Sequence, residues 1–494
     1  MSYAQLQALV CRWSQGMAEA GVTRGDRVAV ILPNDIEFVA LTLVAADLGA
    51  MLIPLSITLP AGEIRKAFAA TGVQHVVSSA ALLEPLLESA PGLPELAAGL
   101  WLSVDEEIGD TRVRVLRELL RAVPADPAPR AQGRDEDALI LSMTSGSTGN
   151  PKPIVLTQLT KFNRAMAAVE LYGVTADDRT LAATPLYHSL AERLVLIPLL
   201  TGGTSIILPR FTVPLWLQCV RQQRVSFSIA VSSQLKQIIA VLEDPGHAGD
   251  LASLRCLVSS SALLDLETKA QLLAKLACDF HECYGASEIA IASNLDTAAA
   301  RTRPRSVGRA APGVDIRILG VDGGILPRGE AGEIVCRTPM LFGGYFRRPD
   351  LTRAAMWGEY FRTGDVGRMD EDGFLYFLGR SKDIIICGGI NIYPADVEEA
   401  VNAHPAVRES AAFAIPDERL GEVVAVAVVM QAAQRFDLRS LRLHCGERLA
   451  DFQQPRQFHE LAELPRNPMG KIMKFQLVEM FSPADHRKDI ARHA

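Results

Sequence analysis

Residues 144–152 combine hydroxyl groups, glycines and a lysine in a pattern suited to binding phosphate. The residues expected to contribute are Thr144, Ser145, Gly146, Ser147, Thr148, Gly149 and Lys152. Glycines let backbone N–H groups approach an oxyanion closely, hydroxyl groups add hydrogen-bond donors, and the lysine adds positive charge. In the G-x-x-x-x-G-K-[ST] loop the second glycine directly precedes the lysine, whereas Asn150 and Pro151 intervene here. The stretch therefore predicts a phosphate-binding loop of another kind.

An apolar run at residues 138–141 directly precedes this loop and predicts the strand that positions it. Near the N-terminus, two further apolar runs, 28–32 and 51–55, flank a helical stretch that ends at Gly49. Strands that alternate with helices are typical of a largely parallel α/β sheet. Ligands bind such sheets beyond the carboxyl ends of the strands, which is where the 144–152 loop is expected.

The pattern of apolar and turn-forming residues changes from about residue 300 onward. Short apolar runs at 314–319, 332–337 and 373–378 are separated by Gly, Pro and Asp, which favours antiparallel β structure such as a small barrel. Residues 383–494 then alternate strand-like runs with helical stretches, and they predict a separate small α+β domain. Earlier in the chain, the Pro-rich stretch 122–137 predicts a surface connection.

The composition is that of an ordinary globular protein. The chain has 494 residues, 49% hydrophobic and 22% charged, which allows two or three domains with full cores. A net charge of −7 means that the chain has no overall excess of positive charge with which to bind nucleic acid or an anionic membrane. We find no apolar stretch typical of a transmembrane segment and no secretory signal. Eight cysteines without a C-x-x-C pair suit a reducing compartment, so a cytoplasmic location is expected.

One local group, Cys278, His281 and Cys283, has residue types that could hold a metal ion. It lacks the second half of a zinc site, and buried thiols are common in protein cores. The group is therefore interpreted as structural.

Six further groups of polar residues and glycines follow the loop in a fixed order. They are Pro185-Leu-Tyr-His188, Tyr284-Gly-Ala-Ser-Glu288, Tyr360-Phe-Arg-Thr-Gly-Asp365, Gly379-Arg-Ser-Lys-Asp383, Gly388-Gly-Ile-Asn-Ile-Tyr-Pro394 and Pro465-Arg-Asn-Pro-Met-Gly-Lys471. Each group alone has an ordinary structural interpretation: Asp365 suits a turn, Gly388 and Gly389 suit a tight turn, and Lys471 suits a solvated surface. Their joint order is what points to a function.

In that order the groups closely resemble the acyl-adenylate-forming superfamily, from about Tyr3 to Lys474. The superfamily contains acyl- and aryl-CoA synthetases, the adenylation domains of peptide synthetases, and firefly-type luciferases. The resemblance implies an α/β multidomain fold, with a large N-terminal domain of two α/β subdomains plus a small β-barrel, followed by a small mobile α+β C-terminal domain. It assigns residues 1–381 to the large domain, which binds ATP and the acid, and residues 382–494 to the small one, with a hinge at Lys382.

The resemblance also implies the reaction. ATP activates a small-molecule carboxylic acid as an acyl-AMP with release of pyrophosphate, and a thiol then takes the acyl group as a thioester. The thiol belongs to CoA or to the phosphopantetheine arm of a carrier protein, and Mg²⁺ is the expected metal. Mg²⁺ and cationic side chains are needed because a carboxylate must attack a phosphate that is itself negatively charged.

The roles of the site residues are carried over from matching positions in the superfamily's motifs. The 144–152 loop would surround the β- and γ-phosphates, Ser287 would bind the α-phosphate, and Glu288 would hold Mg²⁺. Asp365 would accept hydrogen bonds from both ribose hydroxyls. The residues expected around adenine are Ser260, Ser261, Tyr284 and Gly285. The remaining roles fall to Arg380 at the ribose and phosphates, Lys471 between the acid and ATP, His188 as a catalytic residue at the acid, Lys382 at the hinge, and Gly388 and Gly389 along the thiol tunnel.

Several positions depart from the superfamily's usual residues and bear on the substrate. Amino-acid-activating relatives have an aspartate that pairs with the substrate's ammonium group, and the matching residue here is Ser189. A buried ammonium without a partner is costly, so a carboxylic acid without an α-amino group is expected. Pro153 stands where glycine is usual and predicts a stiffer loop. Ser259, Ser260 and Ser261 replace a glycine-rich turn and predict a narrower or more polar acid pocket.

The sequence leaves alternatives for the thiol that accepts the acyl group and for the class of reaction. CoA is the favoured thiol, and a stand-alone ligase that loads a separate acyl carrier protein is the main alternative. A luciferase-like oxygenase would share every motif. A non-catalytic binding module would be expected to lack Glu288 or Lys471, and the sequence contains both.

Overall fold

A computed structural model describes residues 1–89, 99–125, 127–144, 152–242, 244, 249–466 and 471–482. Five of the expected phosphate-loop residues lie outside the described residues: Ser145, Gly146, Ser147, Thr148 and Gly149. In the described parts of the chain, no helix has both the length and the apolar character needed to cross a lipid bilayer.

The first layer is a seven-stranded sheet with helices packed against it. Its elements are α1 (Tyr3–Glu19), β1 (Arg27–Ile31), α2 (Ile36–Leu48), β2 (Met51–Pro54), α3 (Ala61–Thr71), β3 (His75–Ser78), α4 (Ala80–Ser89), β4 (Trp101–Ser103), β5 (Val113–Val115), α5 (Leu116–Leu119), β6 (Ala138–Thr144), β7 (Lys152–Thr157) and α6 (Gln158–Tyr172). The strand order is β5-β4-β3-β1-β2-β6-β7. All neighbours are parallel except β6 and β7, which form an antiparallel pair on either side of the 145–151 segment.

The second layer repeats this architecture with a second seven-stranded sheet. Its elements are β8 (Arg179–Ala182), α7 (Ser189–Thr201), β9 (Thr204–Ile207), α8 (Val213–Gln223), β10 (Phe227–Val231), α9 (Ser232–Val241), β11 (Cys256–Ser260), α10 (Leu266–Lys275), β12 (Asp279–Tyr284), β13 (Ser293–Leu295), α11 (Thr297–Thr302) and β14 (Arg309–Ala310). The order is β14-β13-β12-β11-β10-β8-β9. Strands β8 to β12 are parallel, and β13 and β14 add an antiparallel edge.

A five-stranded antiparallel sheet follows the two parallel layers. Its elements are β15 (Asp315–Leu319), β16 (Ala331–Arg337), α12 (Pro349–Ala354), β17 (Met356–Trp357), β18 (Tyr360–Met369) and β19 (Leu375–Arg380). Strand β18 pairs with β16, β17 and β19. Asp365, the residue expected to bind ribose, lies on this long central strand inside the sheet.

The C-terminal region forms a small α+β unit, as the alternation in the sequence predicts. Its elements are β20 (Ile385–Cys387), β21 (Ile390–Ile392), α13 (Pro394–Asn402), β22 (Val407–Asp417), β23 (Gly421–Met430), α14 (Leu438–Gly446), β24 (Gln457–Glu460) and α15 (Lys474–Phe481). Short 3₁₀ helices lie at Ser381–Asp383 and Asp451–Gln453.

The buried apolar residues show how these layers are held together. One cluster runs from Trp13 to Leu375 and joins α2, α6 and α7 to both parallel sheets and the antiparallel sheet. A different cluster runs from Ile385 to Leu477 and lies wholly within the C-terminal region. The chain between them passes through Lys382, the expected hinge.

Candidate active site

Asp365 is the buried centre of the site. Its Oδ2 accepts a hydrogen bond of 2.8 Å from the Tyr284 hydroxyl, and its Oδ1 lies 3.5 Å from Arg380 Nε. The Asp365 side chain is 7% exposed. Burial raises its pKa, although Arg380, Tyr284 and Lys471 each favour the charged form. Among the described residues, Asp365 Oδ1 has no hydrogen-bond partner, so this oxygen is an acceptor that a ligand hydroxyl could use.

Two sheets meet to bring these side chains together. Asp365 and Arg380 are direct register partners on β18 and β19, while Tyr284 ends β12 of the second parallel sheet. Beyond Tyr284 the chain turns so tightly that a Cβ on Gly285 would lie 1.7 Å from the Ala290 carbonyl oxygen. Only glycine fits at that position, so Gly285 fixes the turn between β12 and β13.

Four cationic side chains form a connected group next to Asp365: Lys152, Arg380, Lys382 and Lys471. Burial lowers the pKa of Lys382, and the charges of Arg380 and Lys152 lower it further. Lys152, the loop lysine, begins β7, and its charge acts on that of the expected hinge lysine, Lys382. A polyphosphate needs this concentration of positive charge.

Lys471 lies within the same group, and its side chain is exposed at the surface. Neighbouring protein atoms displace part of the water around its ammonium group, and this desolvation, and then the charge of Arg380, lowers its pKa to about 8. Asp365 and Asp383 act in the opposite direction because they favour the ammonium form. Lys471 can therefore lose its proton in a pH range where a fully solvated lysine stays charged.

Glu288 lies in the turn after β12, and its orientation is fixed by several partners. Its carboxylate Oε1 accepts a hydrogen bond of 3.1 Å from the Tyr345 hydroxyl. Its backbone carbonyl accepts hydrogen bonds from Arg164 Nη2 at 2.9 Å and from the Phe342 N–H at 2.8 Å. In the described parts of the chain, no group of three or more His, Cys, Asp or Glu side chains could hold a metal ion.

His188 lies at the start of α7, where burial lowers its pKa to about 4. Its Nε2 is buried without a hydrogen-bond partner in the described parts of the chain. Asn34 fixes this segment, since its Nδ2 donates to the carbonyl oxygens of Thr184 and Leu208, at 2.9 and 3.0 Å. Its Oδ1 accepts the Leu186 N–H at 2.7 Å. The sequence analysis missed Asn34, which no motif marks.

The serines expected at the nucleotide lie at the carboxyl ends of β11 and β12. Ser260 ends β11, Ser261 follows it with a φ of 78°, and Ser287 is exposed in the turn after β12. Ser259, by contrast, is fully buried, and its Oγ has no hydrogen-bond partner among the residues described. Ser260, Ser261 and Ser287 thus border the same sheet edge as Tyr284.

Gly388 and Gly389 form the two-residue turn between β20 and β21. Their φ angles are 58° and 86°, and a tight hairpin turn with two positive φ angles favours glycine at both positions. The Gly388 N–H donates to the Leu420 carbonyl oxygen at 2.8 Å. The pair therefore lies in an exposed hairpin of the C-terminal region, with Leu420 as its contact.

A buried group of charges between α6 and α7 has no counterpart in the sequence analysis. Lys161 Nζ lies 2.5 Å from Glu192 Oε2, and the two side chains are 3% and 6% exposed. Arg164 and Arg193 are buried beside them. Burial and then the charge of Arg193 lower the pKa of Arg164 to about 9. Charged residues on a helix ordinarily indicate a solvated face, so only the tertiary structure reveals this group.

Comparisons with known proteins cover nearly the whole chain. The family described as "AMP-binding enzyme" matches residues 1–346, and "AMP-binding enzyme C-terminal domain" matches residues 396–471. The long-chain-fatty-acid–CoA ligase FadD13 of Mycobacterium tuberculosis is 32% identical, over 98% of this chain and 93% of its own. A feruloyl-CoA synthase of Amycolatopsis is 34% identical, over 97% of this chain and 94% of its own.

A solved structure is similar in three dimensions. ATP-bound MatB from Rhodopseudomonas palustris aligns with a TM-score of 0.87 at 26% identity, over 99% of this chain and 94% of that chain. The apo form of the same protein aligns with a TM-score of 0.76. The arrangement of this chain is therefore more similar to the ATP-bound form than to the apo form.

Proposed function

This chain belongs to the AMP-binding enzyme family and is an acid–thiol ligase, and we propose that the group around Asp365 activates a carboxylic acid as acyl-AMP. One observation carries the proposal. A buried carboxylate, one of whose oxygens accepts no hydrogen bond from the described residues and lies 3.5 Å from Arg380 Nε, is part of a group with four cations. That combination suits a nucleotide, whose ribose donates hydroxyl protons and whose phosphates carry the negative charge.

Asp365 binds the ribose of ATP through Oδ1, while Oδ2 stays fixed by Tyr284. The support is geometric, since the hydrogen bond from Tyr284 orients the carboxylate and burial strengthens each bond it accepts. Ser260, Ser261, Tyr284 and Gly285 border the adenine, and Ser287 donates to the α-phosphate. Their common position at the carboxyl ends of β11 and β12 is the usual ligand edge of an open α/β sheet.

Glu288 fits a magnesium ion better than any transition metal. It is a single carboxylate with one oxygen held by Tyr345, and Mg²⁺ is commonly bound by one or two carboxylates plus substrate phosphates. When bound, the ion neutralises phosphate charge during the displacement. Arg164 positions Glu288 by donating to its backbone carbonyl.

The first half-reaction is attack of the acid's carboxylate on the α-phosphorus of ATP, which expels pyrophosphate. Lys471 and Arg380 lower the repulsion between the two anions and stabilise the charge that develops in the transition state. Lys152 and the 144–152 loop hold the β- and γ-phosphates as they leave. The greater similarity to ATP-bound MatB than to its apo form supports this arrangement as that of the first half-reaction.

The second half-reaction is attack of a thiol on the acyl carbon, with AMP as leaving group. We place the domain boundary at Lys382, between residues 1–381 and 382–494, because the C-terminal apolar cluster begins at Ile385. Rotation about this hinge would withdraw Lys471 and bring the exposed Gly388-Gly389 hairpin to the site. Glycines without side chains suit the wall of a narrow thiol tunnel.

The acid lacks an α-amino group, and CoA is the acceptor. His188 is neutral at physiological pH, because burial lowers its pKa to about 4, and Ser189 beside it offers no carboxylate to an ammonium. The acid lies against His188. The two relatives described above are named as a CoA ligase and a CoA synthase, which favours CoA over a carrier protein.

None of the eight cysteines forms a disulfide, and burial raises the pKa of several of their thiols, Cys256 to about 12. Thiols that form no disulfide suit a reducing compartment. We therefore place the enzyme in the cytoplasm.

The test is pyrophosphate release by the purified protein with ATP and Mg²⁺ across a panel of carboxylic acids. Each acid is offered with CoA, with a phosphopantetheinylated carrier protein, or with no acceptor. We expect release with acids that lack an α-amino group, and thioester formation on CoA. Activity with α-amino acids alone would overturn the substrate assignment, and thioester formation on the carrier protein alone would overturn CoA.

A further inference from the structure

Tyr345 connects the carboxylate of Glu288 to a strand of the first parallel sheet. Its hydroxyl donates a hydrogen bond of 3.1 Å to Glu288 Oε1. Its backbone forms an antiparallel bridge with Ile154, which lies in β7. Glu288 itself lies in the turn after β12 of the second parallel sheet. One side chain therefore fixes a group beside the second sheet relative to the last strand of the first.

Backbone hydrogen bonds on both sides hold Tyr345 against β7. The Val155 N–H donates to the Gly344 carbonyl oxygen at 2.9 Å, and the Phe346 N–H donates to the Pro153 carbonyl oxygen, also at 2.9 Å. Pro153 and Val155 belong to β7, the strand that returns from the expected phosphate loop. The position of Tyr345 is thus set by the same strand that follows this loop.

The backbone of Glu288 is held by residues close to Tyr345 in the chain. Its carbonyl oxygen accepts the Phe342 N–H at 2.8 Å and Arg164 Nη2 at 2.9 Å. Arg164 Nε donates in turn to the Met340 carbonyl oxygen at 3.0 Å, so α6 is fixed to the same segment. The segment of residues 340–346 therefore contacts Glu288 at both its backbone and its carboxylate.

The hydrogen bond from Tyr345 uses one of the two carboxylate oxygens of Glu288. Within the described parts of the chain, no hydrogen bond or ion pair joins Glu288 Oε2 to a protein group. A carboxylate held at one oxygen presents the other in a defined direction, and Mg²⁺ requires ligands close to an ideal octahedral geometry. Hydrogen bonds that orient a metal ligand therefore contribute to metal affinity, and losing one typically weakens binding about 10- to 100-fold.

We propose that Tyr345 is a positioning residue for the magnesium ion, because it orients Glu288 and ties it to β7. The inference rests on the proposed function, since it deepens the metal role assigned there to Glu288. Tyr345 acts through the Glu288 carboxylate and does not itself supply a ligand. The carboxylate that would hold the ion and the loop lysine, Lys152, are thereby fixed to the same strand.

The experiment measures what the metal contributes to nucleotide binding. Isothermal titration calorimetry gives the Kd of α,β-methylene-ATP, which cannot release pyrophosphate, once with saturating Mg²⁺ and once with EDTA. The ratio of the Kd with EDTA to the Kd with Mg²⁺ is the metal enhancement. A purely structural effect on the nucleotide site changes both constants alike and leaves this ratio unchanged. Activity is measured in parallel as the Mg²⁺ concentration that gives half-maximal ATP–pyrophosphate exchange.

The variants are Tyr345→Phe, Glu288→Gln and the double variant, each checked by thermal melting. Tyr345→Phe keeps the ring, whose centroid lies 5.0 Å from that of the Phe342 ring, so the fold should persist. The matched control is Tyr376→Phe. It removes a hydroxyl that also donates at 3.1 Å to a carboxylate, that of Asp370, outside the site.

We expect Tyr345→Phe to lower the metal enhancement by roughly tenfold and to raise the half-maximal Mg²⁺ concentration by a similar factor. The Kd measured with EDTA and the exchange rate at saturating Mg²⁺ should stay close to their wild-type values. Because Tyr345 acts through Glu288, adding Tyr345→Phe to Glu288→Gln should cause no further loss of metal enhancement. Tyr376→Phe should leave the ratio unchanged.

Two outcomes separate this inference from the function on which it rests. If Glu288→Gln lowers the metal enhancement and Tyr345→Phe does not, the positioning role is rejected and the proposed function stands. If Glu288→Gln leaves the enhancement unchanged, the metal role of Glu288 is rejected, and this inference with it. An equal loss in Tyr345→Phe and Tyr376→Phe, or a further loss in the double variant as large as that in Tyr345→Phe alone, would also reject the inference.

Discussion

The Tyr284 hydroxyl donates a 2.8 Å hydrogen bond to Asp365 Oδ2, across 81 residues of sequence and between two different sheets. Tyr284 ends β12, the last of the parallel strands in the second sheet, and Asp365 lies within the antiparallel strand β18. This bond therefore ties the proposed adenine edge of the site to its proposed ribose edge. It also fixes which carboxylate oxygen remains for a ligand.

Tyr284→Phe tests this bond. Loss of the hydroxyl leaves the Asp365 carboxylate unoriented and raises its pKa further, because the bond from Tyr284 favours the charged form. We expect kcat/KM for ATP in pyrophosphate exchange to fall by roughly tenfold or more, as for other hydrogen bonds to charged groups. The matched control is Tyr376→Phe, which removes a 3.1 Å hydrogen bond to Asp370 outside the site. Equal losses in both variants would contradict a specific role for Tyr284.

The pH dependence of adenylation tests the charge of Lys471. Its pKa is lowered to about 8, so the ammonium form is present below that pH and is lost as pH rises through it. The first half-reaction needs the charged form, so kcat/KM for ATP should fall above pH 8. Removing a neighbouring cation in Arg380→Gln should raise the pKa of Lys471 and move this fall to higher pH. A rate that holds constant well above pH 8, or a fall that moves to lower pH in Arg380→Gln, would refute the assignment.

Gly285→Ala tests the turn that follows Tyr284. A Cβ at this position would lie 1.7 Å from the Ala290 carbonyl oxygen, so the backbone of the turn must move. Because small displacements of positioning groups are expensive, we expect adenylation to fall by roughly 100-fold. Gly62→Ala is the control, since no atom lies within 4 Å of its Cβ and the residue is in α3. Gly62→Ala should leave activity unchanged and stabilise the fold by about 1 kcal/mol or less.

Glu192→Gln tests the buried ion pair with Lys161. It leaves Lys161, Arg164 and Arg193 without their buried carboxylate, and breaking such a pair typically costs about 3–5 kcal/mol. We expect a large drop in the urea midpoint of unfolding. Glu63→Gln breaks an exposed pair with Lys66 of 2.7 Å and should cost about 1 kcal/mol or less. Similar midpoints for the two variants would mean that the buried pair contributes no more than a surface one.

Much of the fold follows from local patterns in the sequence. The alternation of apolar runs and helical stretches predicts the parallel layers, and α2 ends at Gly49, where the glycine adopts a left-handed conformation. The antiparallel region and the small α+β unit are likewise confirmed. Boundaries shift by a few residues, because the ends of strands depend on their neighbours. The strand predicted from the 138–141 run, for example, extends to Thr144, where β7 pairs with it.

The site shows where sequence reasoning reaches its limit. Ordered motifs identify Asp365 and Lys471, but no local pattern reveals that Tyr284 bonds to Asp365 or that Lys152 starts a return strand. The charges of Lys161 and Arg193 occupy helix positions that usually face solvent, and only the packing of α6 against α7 buries them. Contacts between distant segments decide these features.

The most direct test of the account is to measure the two half-reactions separately in Lys471→Ala. The charges of Lys471 and Asp365 act on each other in what we propose is the arrangement of the first half-reaction, so removal of Lys471 should abolish ATP–pyrophosphate exchange. Thioester formation from synthetic acyl-AMP and CoA should persist at close to the wild-type rate. Lys474→Ala, which removes a lysine paired with Glu398 at 2.6 Å, is the control and should retain both activities. Loss of both half-reactions in a folded Lys471→Ala protein, or normal exchange, would contradict the account.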